Sequence, residues 1–154
     1  MIDKYDLKIL NVLKEQANLP LKEIGKRAGL FSPSAVSKRI KNLRALGYIK
    51  KDISLLDYEK LGYDFQTITL IKTNYDKDYA KVIGDKLSKL PNVVAVYFIF
   101  GDIDFVLITI NKSRTEYIRT MEYLTSIEEI ERSDSRVIAY SVKSIDFDLL
   151  DLTK

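Results

Sequence analysis

The amino-acid sequence predicts an α+β chain with two parts, a basic helical domain followed by a larger domain of strands and helices. Apolar residues recur at helical spacing up to about residue 47, and from residue 64 segments with the alternation typical of strands are interleaved with helical segments. The charge balance changes at the same place. Residues 1–51 hold 12 Lys and Arg against 4 Asp and Glu, a net of +8, whereas residues 52–154 hold 13 against 18, a net of −5. This asymmetry indicates a nucleic-acid-binding module joined to an acidic partner domain.

The first two helices are predicted from apolar stripes. Leucines and an isoleucine at helical spacing mark the first helix within 3–17. Leu21, Ile24 and Ala28 mark a shorter second helix, which ends at Gly29. A third helix follows after a short turn, and two helices joined by a tight glycine-containing turn are the signature of a helix-turn-helix.

The third helix is predicted from its stripe and from both of its ends. Val36, Ile40 and Leu43 fall at i, i+4 and i+7, so they share one helical face. Ser32 suits the N-cap, and the proline after it occupies a position that needs no N–H. Gly47 tolerates the left-handed conformation that ends many helices.

The other side of this helix carries hydroxyl groups and cations. In a helix-turn-helix, that side faces the major groove, where serines can reach base edges and lysines can neutralise phosphates. A solvated charged face would be the better interpretation for an isolated helix, but the surrounding helices favour DNA. Residues 48–54 are predicted to form a strand of a small basic wing. The candidate DNA-binding residues are Ser34, Ser37, Lys38, Arg39, Lys41 and Arg44.

The remaining pattern predicts a ferredoxin-like βαββαβ domain. Its longest apolar run, residues 93–100, is predicted to be a buried strand. The open face of such a sheet must be covered, and no chain is left to cover it, so a second copy of the chain is expected there. The predicted boundaries are 1–51 for the winged helix-turn-helix, 52–63 for a linker and 64–154 for the ferredoxin-like domain.

Composition excludes several classes of site. The chain has no cysteine and no histidine, which removes thiol nucleophiles, histidine bases and Cys/His zinc sites. It has no run of 18 apolar residues and no basic-then-apolar leader, so neither a membrane span nor a signal peptide is expected. We therefore expect a cytoplasmic protein that is not an enzyme, with no catalytic residues, no metal and no cofactor.

The order of these motifs resembles the Lrp/AsnC (leucine-responsive/asparagine-regulator, feast/famine) family of transcriptional regulators. The resemblance runs from DKYDLKIL at residues 3–10, through SPSAVSKRIKNL and LGYI, to the FGDIDF turn and the IERSDSR strand. It implies a winged helix-turn-helix and a C-terminal effector-binding domain of RAM or ACT-like type. It also implies binding to double-stranded DNA, assembly as homodimers and often octamers, and an amino acid held between subunits.

The resemblance also suggests an effector site. The loop after the second strand carries the Gly-Asp-x-Asp pattern of the family, and two serines on the last strand match its small hydroxyl residues. A free amino acid needs a carboxylate for its ammonium group and N–H or hydroxyl donors for its carboxylate. Gly-Asp is also ordinary turn chemistry, which leaves a purely structural role open. The candidate effector-binding residues are Phe100, Gly101, Asp102, Asp104, Ser133 and Ser135.

Two departures from the family pattern are notable. Ser133 and Ser135 stand where relatives commonly have threonines, and Phe31 is an extra residue in the helix-turn-helix turn.

Two alternative functions remain open. One is an architectural DNA-binding protein without an effector. The other is an enzyme related to siroheme decarboxylases, which rely on histidines that this chain lacks.

Overall fold

Residues 2–74, 80–143 and 151–153 are described by the computed structural model of the chain. Contacts divide the chain into two units. Unit 1 comprises Met1–Leu55 together with Lys143–Lys154, and unit 2 comprises Leu56–Val142. The boundaries predicted from the sequence, 1–51, 52–63 and 64–154, stay a prediction.

Unit 1 is a three-helix domain in which each helix contributes to one core. The helices are α1 (Lys4–Glu15), α2 (Leu21–Ala28) and α3 (Pro33–Ala45). Helix α1 begins with a capping box, because Asp3 accepts hydrogen bonds from the first turn while Asp6 accepts one from the Asp3 N–H. The helices bury a shared apolar cluster of Ile9, Val12, Ile24, Ala28, Val36, Ile40 and Leu43. The three predicted helices are thereby confirmed.

Two segments of unit 1 differ from expectation or were left unassigned. Residues 48–54, predicted to be a strand of the wing, have no regular strand. The physical reason is that a strand needs a hydrogen-bonded neighbour, and the described part of unit 1 contains no other strand. At the end of the chain, the Asn11 side chain of α1 donates to Asp151 and accepts from the Leu152 N–H.

Unit 2 has the βαββαβ order that the sequence predicts. Its four strands form one antiparallel sheet with the spatial order β2-β3-β1-β4, which confirms the ferredoxin-like fold. The elements are β1 (Phe65–Thr73), α4 (Ala80–Ser88), β2 (Val93–Phe98), β3 (Phe105–Asn111), α5 (Arg114–Thr125) and β4 (Ile130–Val137). The sequence predicts the first helix of this domain over residues 76–90, and residues 76–79 of that prediction lie outside the described residues. Residues 144–150 and 154 of the tail lie outside them as well.

The two faces of the sheet have different environments. On one face, Ile71, Phe105 and Leu107 are buried against Ile83 and Leu87 of α4 and against Leu124 of α5. The alternate residues of β1 and β3 point the other way and are only partly buried. This second face, which we call the open face, pairs Ile68 with Ile108 and Leu70 with Val106, and it also carries Ile110. No helix of unit 2 within the described ranges lies on it.

The strand β2 is not buried as predicted. Among the described strands it pairs with β3 alone, at the edge of the sheet, and its side chains are partly or largely exposed. Val94 is 57% exposed and Tyr97 is 47% exposed, and the strand ends at Phe98 rather than at residue 100. Edge position explains the difference, because an edge strand has a neighbour on one side only.

Candidate DNA-reading helix and effector site

Helix α3 is anchored on one side and capped at its start. Val36, Ile40 and Leu43 are almost fully buried, as their spacing predicts. Ser32 is the N-cap, and its hydroxyl oxygen accepts a hydrogen bond from the Ala35 backbone nitrogen at 3.4 Å. The helix therefore presents its other side to solvent in a fixed orientation.

The solvent side of α3 gathers two hydroxyl groups and two cations. Ser34 is exposed at the first turn, and its hydroxyl oxygen lies 2.8 Å from that of Ser32. Ser37 is half-buried, whereas Lys38 and Lys41 are exposed. Neither lysine forms an ion pair with any residue that the structure describes. Their charges are therefore available to an anionic partner.

Arg39 lies on the flank of α3 and is engaged by α1. Its Nη1 donates to Asp3 and to Asp6, at 2.8 Å in both cases, and its guanidinium lies 5.7 Å from the centre of the Tyr5 ring. These carboxylates are the same ones that cap α1, so one cluster fixes the start of α1 and the flank of α3. The pKa of Asp3 is lowered, mainly by the Asp6 backbone N–H and in part by Arg39. Arg39 thus positions α3 against α1.

Arg44 lies near the other end of α3. Its Nη2 donates to the carboxylate of Asp52, and both side chains are about half exposed. Surface ion pairs of this kind contribute little to stability, so the guanidinium can exchange this carboxylate for another anion at small cost. The structure thus places the two arginines of the predicted set in different environments: Arg39 is held by two carboxylates against α1, and Arg44 forms one exposed ion pair.

The turn between β2 and β3 carries the first part of the predicted effector site. Phe100 is 95% exposed, and Gly101 and Asp102 are exposed as well. Gly101 has φ 140°, a conformation that residues with a Cβ rarely adopt. The Asp102 carboxylate has no hydrogen bond or ion pair among the described residues. This turn therefore presents an aromatic ring and a carboxylate to solvent.

Asp104 has a different environment from the rest of the turn. Its side chain is 10% exposed, and Oδ2 accepts from the Thr73 N–H at 2.8 Å and from the Thr73 hydroxyl at 3.1 Å. Oδ1 accepts from the Lys72 ammonium at 3.3 Å. Burial raises the pKa of Asp104, but these hydrogen bonds outweigh it and leave the pKa below its usual range. The carboxylate thus connects the start of β3 to the end of β1.

Because Asp104 satisfies a buried N–H, we expect Asp104→Ala to destabilise unit 2 by about 1–3 kcal/mol at neutral pH. The lowered pKa gives the sign of the pH dependence. The contribution is fully present above pH about 4 and is lost as the pH falls through the lower pKa of the folded state. Urea unfolding from pH 7 down to pH 2 measures it, with the exposed Asp102→Ala as the matched control. Equal stability of both variants at pH 7 would contradict this role.

The two serines of the predicted site lie on β4, the other edge strand of the sheet. Ser133 pairs with Ile71 and Ser135 with Thr69, so both point to the helix-covered face. The Ser135 hydroxyl lies 2.9 Å from that of Thr69. Strand β1 separates β4 from β3, which at about 4.8 Å between neighbouring strands places Ser133 roughly 10 Å from Phe105. Within one protomer, the width of one intervening strand thus separates the turn from the serines.

The structure also shows functional partners that the sequence analysis missed. Asp3 and Asp6 hold Arg39, and Lys72 and Thr73 hold Asp104. The capping-box spacing of Asp3 and Asp6 was a local signal for the start of α1. No local signal connected Thr73 with a residue 31 positions further along the chain.

Fold and site together define a class of protein, a helix-turn-helix domain with a basic solvent face joined to a ferredoxin-like domain. A family model described as winged helix-turn-helix DNA-binding matches residues 2–50. A second, described as the Lrp/AsnC ligand binding domain, matches residues 66–145. The chain belongs to the Lrp/AsnC family of transcriptional regulators, as the sequence resemblance indicated.

Individual relatives agree with this assignment. The chain is 36% identical over 138 residues to the HTH-type transcriptional regulator FL11 of Pyrococcus furiosus, covering 90% of this chain and 89% of the relative. It is 32% identical over 126 residues to the glutamate uptake regulatory protein of Zymomonas mobilis, covering 81% and 76%. A crystal structure of the Neisseria meningitidis transcriptional regulator NMB0573 with L-Met has a TM-score of 0.83 at 25% identity, covering 94% of each chain. Escherichia coli AsnC shares the fold, with a TM-score of 0.82 at 22% identity, covering 96% of this chain and 99% of AsnC.

These findings establish a DNA-binding transcriptional regulator with a ligand-binding domain. FL11, the glutamate uptake regulatory protein and NMB0573 are all regulators by name. No cluster of acidic side chains within the described ranges could hold a metal ion. No helix in the same ranges is long and apolar enough to cross a membrane.

Proposed function

We propose that the protein reads specific DNA sequences with α3 as a dimer, and that an amino acid bound between subunits of the C-terminal domain regulates it. The observation that carries the proposal is the division of α3 into two faces. One face is buried in the core of unit 1, and the other presents hydroxyls and two lysines that form no ion pair with the described residues. A transcriptional regulator must share a compartment with the DNA that it binds, and we propose that this compartment is the cytoplasm.

The residues of the solvent face take different roles in this proposal. Ser34 lies in the first turn of α3, where side chains reach base edges, and the half-buried Ser37 lies one turn further on. Lys38 and Lys41 contact phosphates, which adds affinity without sequence information. Arg39 orients the helix through Asp3 and Asp6. Arg44 exchanges its partner Asp52 for a phosphate at the end of the interface.

The open face of the sheet supports assembly with a second copy. Ile68, Leu70, Val106, Ile108 and Ile110 form adjacent apolar pairs across the two central strands, yet they are only partly buried within one chain. A contiguous apolar face of this kind is typical of an interaction surface. In a two-fold dimer the same face of each copy covers the other. The two reading helices then meet half-sites that lie one helical turn of DNA, or a multiple of it, apart.

The geometry of unit 2 favours an effector site that takes parts from more than one subunit. The exposed turn offers the Asp102 carboxylate to an ammonium group. The edge strand β4 offers hydroxyls, but at a distance from that turn within one protomer. A neighbouring copy that brings its own β4 to the turn would join the two sets of groups. The L-Met bound to the Neisseria relative shows that an amino acid is a ligand of a protein with this fold.

The two aspartates of the turn have separate roles in this site. The Asp104 carboxylate is already hydrogen-bonded to Thr73 and Lys72, so its role is to position the turn. The Asp102 carboxylate is exposed and without a partner among the described residues, so it is the better ligand for an ammonium group. Phe100 would offer the ligand an apolar surface. Gly101 has no side chain, so it would let the ligand lie close to the backbone of the turn.

Calorimetry against each of the twenty amino acids tests the effector site. We expect the wild-type protein to bind at least one amino acid, and we expect Asp102→Asn to weaken that binding on the order of tenfold or more, since it removes a charge-assisted contact. The matched control is Asp85→Asn, which changes an exposed aspartate on α4 and should bind like wild type.

Each result of this experiment decides one point. Binding of none of the twenty amino acids would contradict the amino-acid effector and favour the effector-independent architectural alternative. Binding that is equal in wild type and Asp102→Asn would show that the ammonium partner lies elsewhere.

A further inference from the structure

Phe31, in the turn between α2 and α3, exposes its whole side chain. Its relative exposure is 103%, the highest among the exposed large apolar residues, and it makes no ring contact with any described residue. Burying a phenylalanine side chain stabilises a folded protein by removing a large apolar surface from water, and a ring left completely in water gains none of this stabilisation. The folded chain alone gives this side chain no function.

The turn that carries Phe31 is held firmly. Gly29 ends α2 in the left-handed conformation with φ 77°, and the Leu30 N–H donates to the Gly25 carbonyl at 2.7 Å. A Cβ added at Gly25 would lie 2.7 Å from the Leu30 carbonyl oxygen, which shows how closely the two backbone segments approach. Leu30 packs against the core of unit 1. With Leu30 directed inward, the next residue is presented outward from a rigid backbone.

The surroundings of Phe31 are polar and belong to the DNA-reading end of α3. The next residue is the N-cap Ser32, whose hydroxyl contacts that of Ser34, and Lys38 lies one turn further on. Protein partners recognise contiguous apolar patches, and one ring beside hydroxyls and a cation does not make such a patch. The N-terminal end of a reading helix is instead where side chains reach base edges.

We propose that Phe31 is a specificity-determining residue whose ring contacts the C5 methyl group of a thymine in the major groove. This methyl group is the apolar feature of the major-groove edges, and phenylalanine is among the side chains that contact it. The hydroxyls and lysines of α3 then supply the polar contacts around an apolar contact made by the preceding turn. The ring remains in solvent in the free protein and is buried only on the correct DNA.

The test starts from binding-site selection with the full-length wild-type protein, which provides a preferred duplex. Each thymine of one half-site is then replaced in turn by deoxyuridine, which removes only the methyl group. We expect one such replacement to weaken wild-type binding by about fourfold, the value for burying one methyl group. Phe31→Ala should bind the thymine duplex more weakly and should not distinguish it from the deoxyuridine duplex.

Two variants separate this contact from the general interface. Leu46→Ala removes another apolar residue, 55% exposed at the C-cap of α3, and should discriminate between the two duplexes like wild type. Lys38→Ala should bind both duplexes more weakly while keeping their ratio. Because the ring is fully exposed and makes no ring contact with the described residues, Phe31→Ala should unfold at the wild-type temperature.

The proposal is overturned if Phe31→Ala keeps the wild-type ratio between the two duplexes, or if wild type is indifferent to every deoxyuridine. It is also overturned if light scattering shows that Phe31→Ala changes the mass of the free protein, because the ring would then lie between copies of the chain. If Lys38→Ala binds DNA like wild type, the proposed phosphate contacts of α3 are contradicted. The methyl contact is still decided by the ratio of the affinities of Phe31→Ala for the thymine and deoxyuridine duplexes.

Discussion

Ile108→Glu should convert the assembled protein into monomers. Ile108 lies on the central strand β3, directly across from Ile68 of β1, in the middle of the open face. In a two-fold dimer the substitution places two carboxylates in one buried interface, and an unpaired buried charge costs several kcal/mol. We expect dimer dissociation to become easier by on the order of a hundredfold or more. The free protomer should stay folded, since the open face is only partly buried within it.

Sedimentation velocity across a concentration series measures this effect. The matched control is Ile118→Glu, which introduces the same charge at a 44% exposed isoleucine on α5, in the helix layer. Ile118→Glu should keep the wild-type mass, whereas Ile108→Glu should not. A protomer that has lost its partner meets only one half-site, so its affinity for a full site should fall as well. An unchanged mass for Ile108→Glu would show that the open face is not the dimer interface.

The parts of the fold that depend on local signals could be predicted from the sequence. Helix α3 is an example, because the stripe of Val36, Ile40 and Leu43 and the cap at Ser32 are all set within a few turns. The order of strands and helices in unit 2 is another. Alternating apolar residues predict the strands, and apolar residues at helical spacing predict the helices, without knowledge of the neighbouring elements.

The parts that depend on which elements meet could not be predicted in the same way. The apolar run 93–100 has the composition of a buried strand, but β2 is at an edge because of the spatial order of the sheet. Residues 48–54 have strand composition, but the described part of unit 1 contains no strand with which they could pair. Strand composition therefore predicts extended backbone and cannot by itself predict pairing.

The candidate sites show the same division. The solvent face of α3 was predictable from helical spacing, whereas the environments of Arg39 and Asp104 follow from tertiary contacts. Arg39 and Asp3 are 36 positions apart in the chain, and they meet because α1 packs against α3. Asp104 is buried by the end of β1, although its sequence context is that of an exposed turn. The role of Arg39 in binding DNA stays a prediction, and it requires the guanidinium to leave two carboxylates.

The lysines of α3 should have the largest effect on DNA affinity. Each phosphate contact contributes about 0.9 to the slope of log K against log salt, and a dimer carries each lysine twice. Lys38→Ala or Lys41→Ala should therefore reduce the slope by about 1.8. When wild type and variant bind equally at a high salt concentration, this difference in slope makes the variant bind on the order of tenfold to a hundredfold more weakly at one-tenth of that concentration. The loss should be similar on specific and on nonspecific duplexes.

The salt dependence of DNA affinity, measured for wild type and four variants, tests the central claim that α3 is the DNA-reading element. Lys38→Ala and Lys41→Ala should each give the shallower slope. Lys81→Ala, which removes an exposed lysine of α4 in unit 2, should keep the wild-type slope. Ser34→Ala should keep that slope too, because it removes no charge, while it weakens the preference for the selected sequence. Wild-type slopes for both α3 lysine variants, with undiminished affinity, would contradict the account.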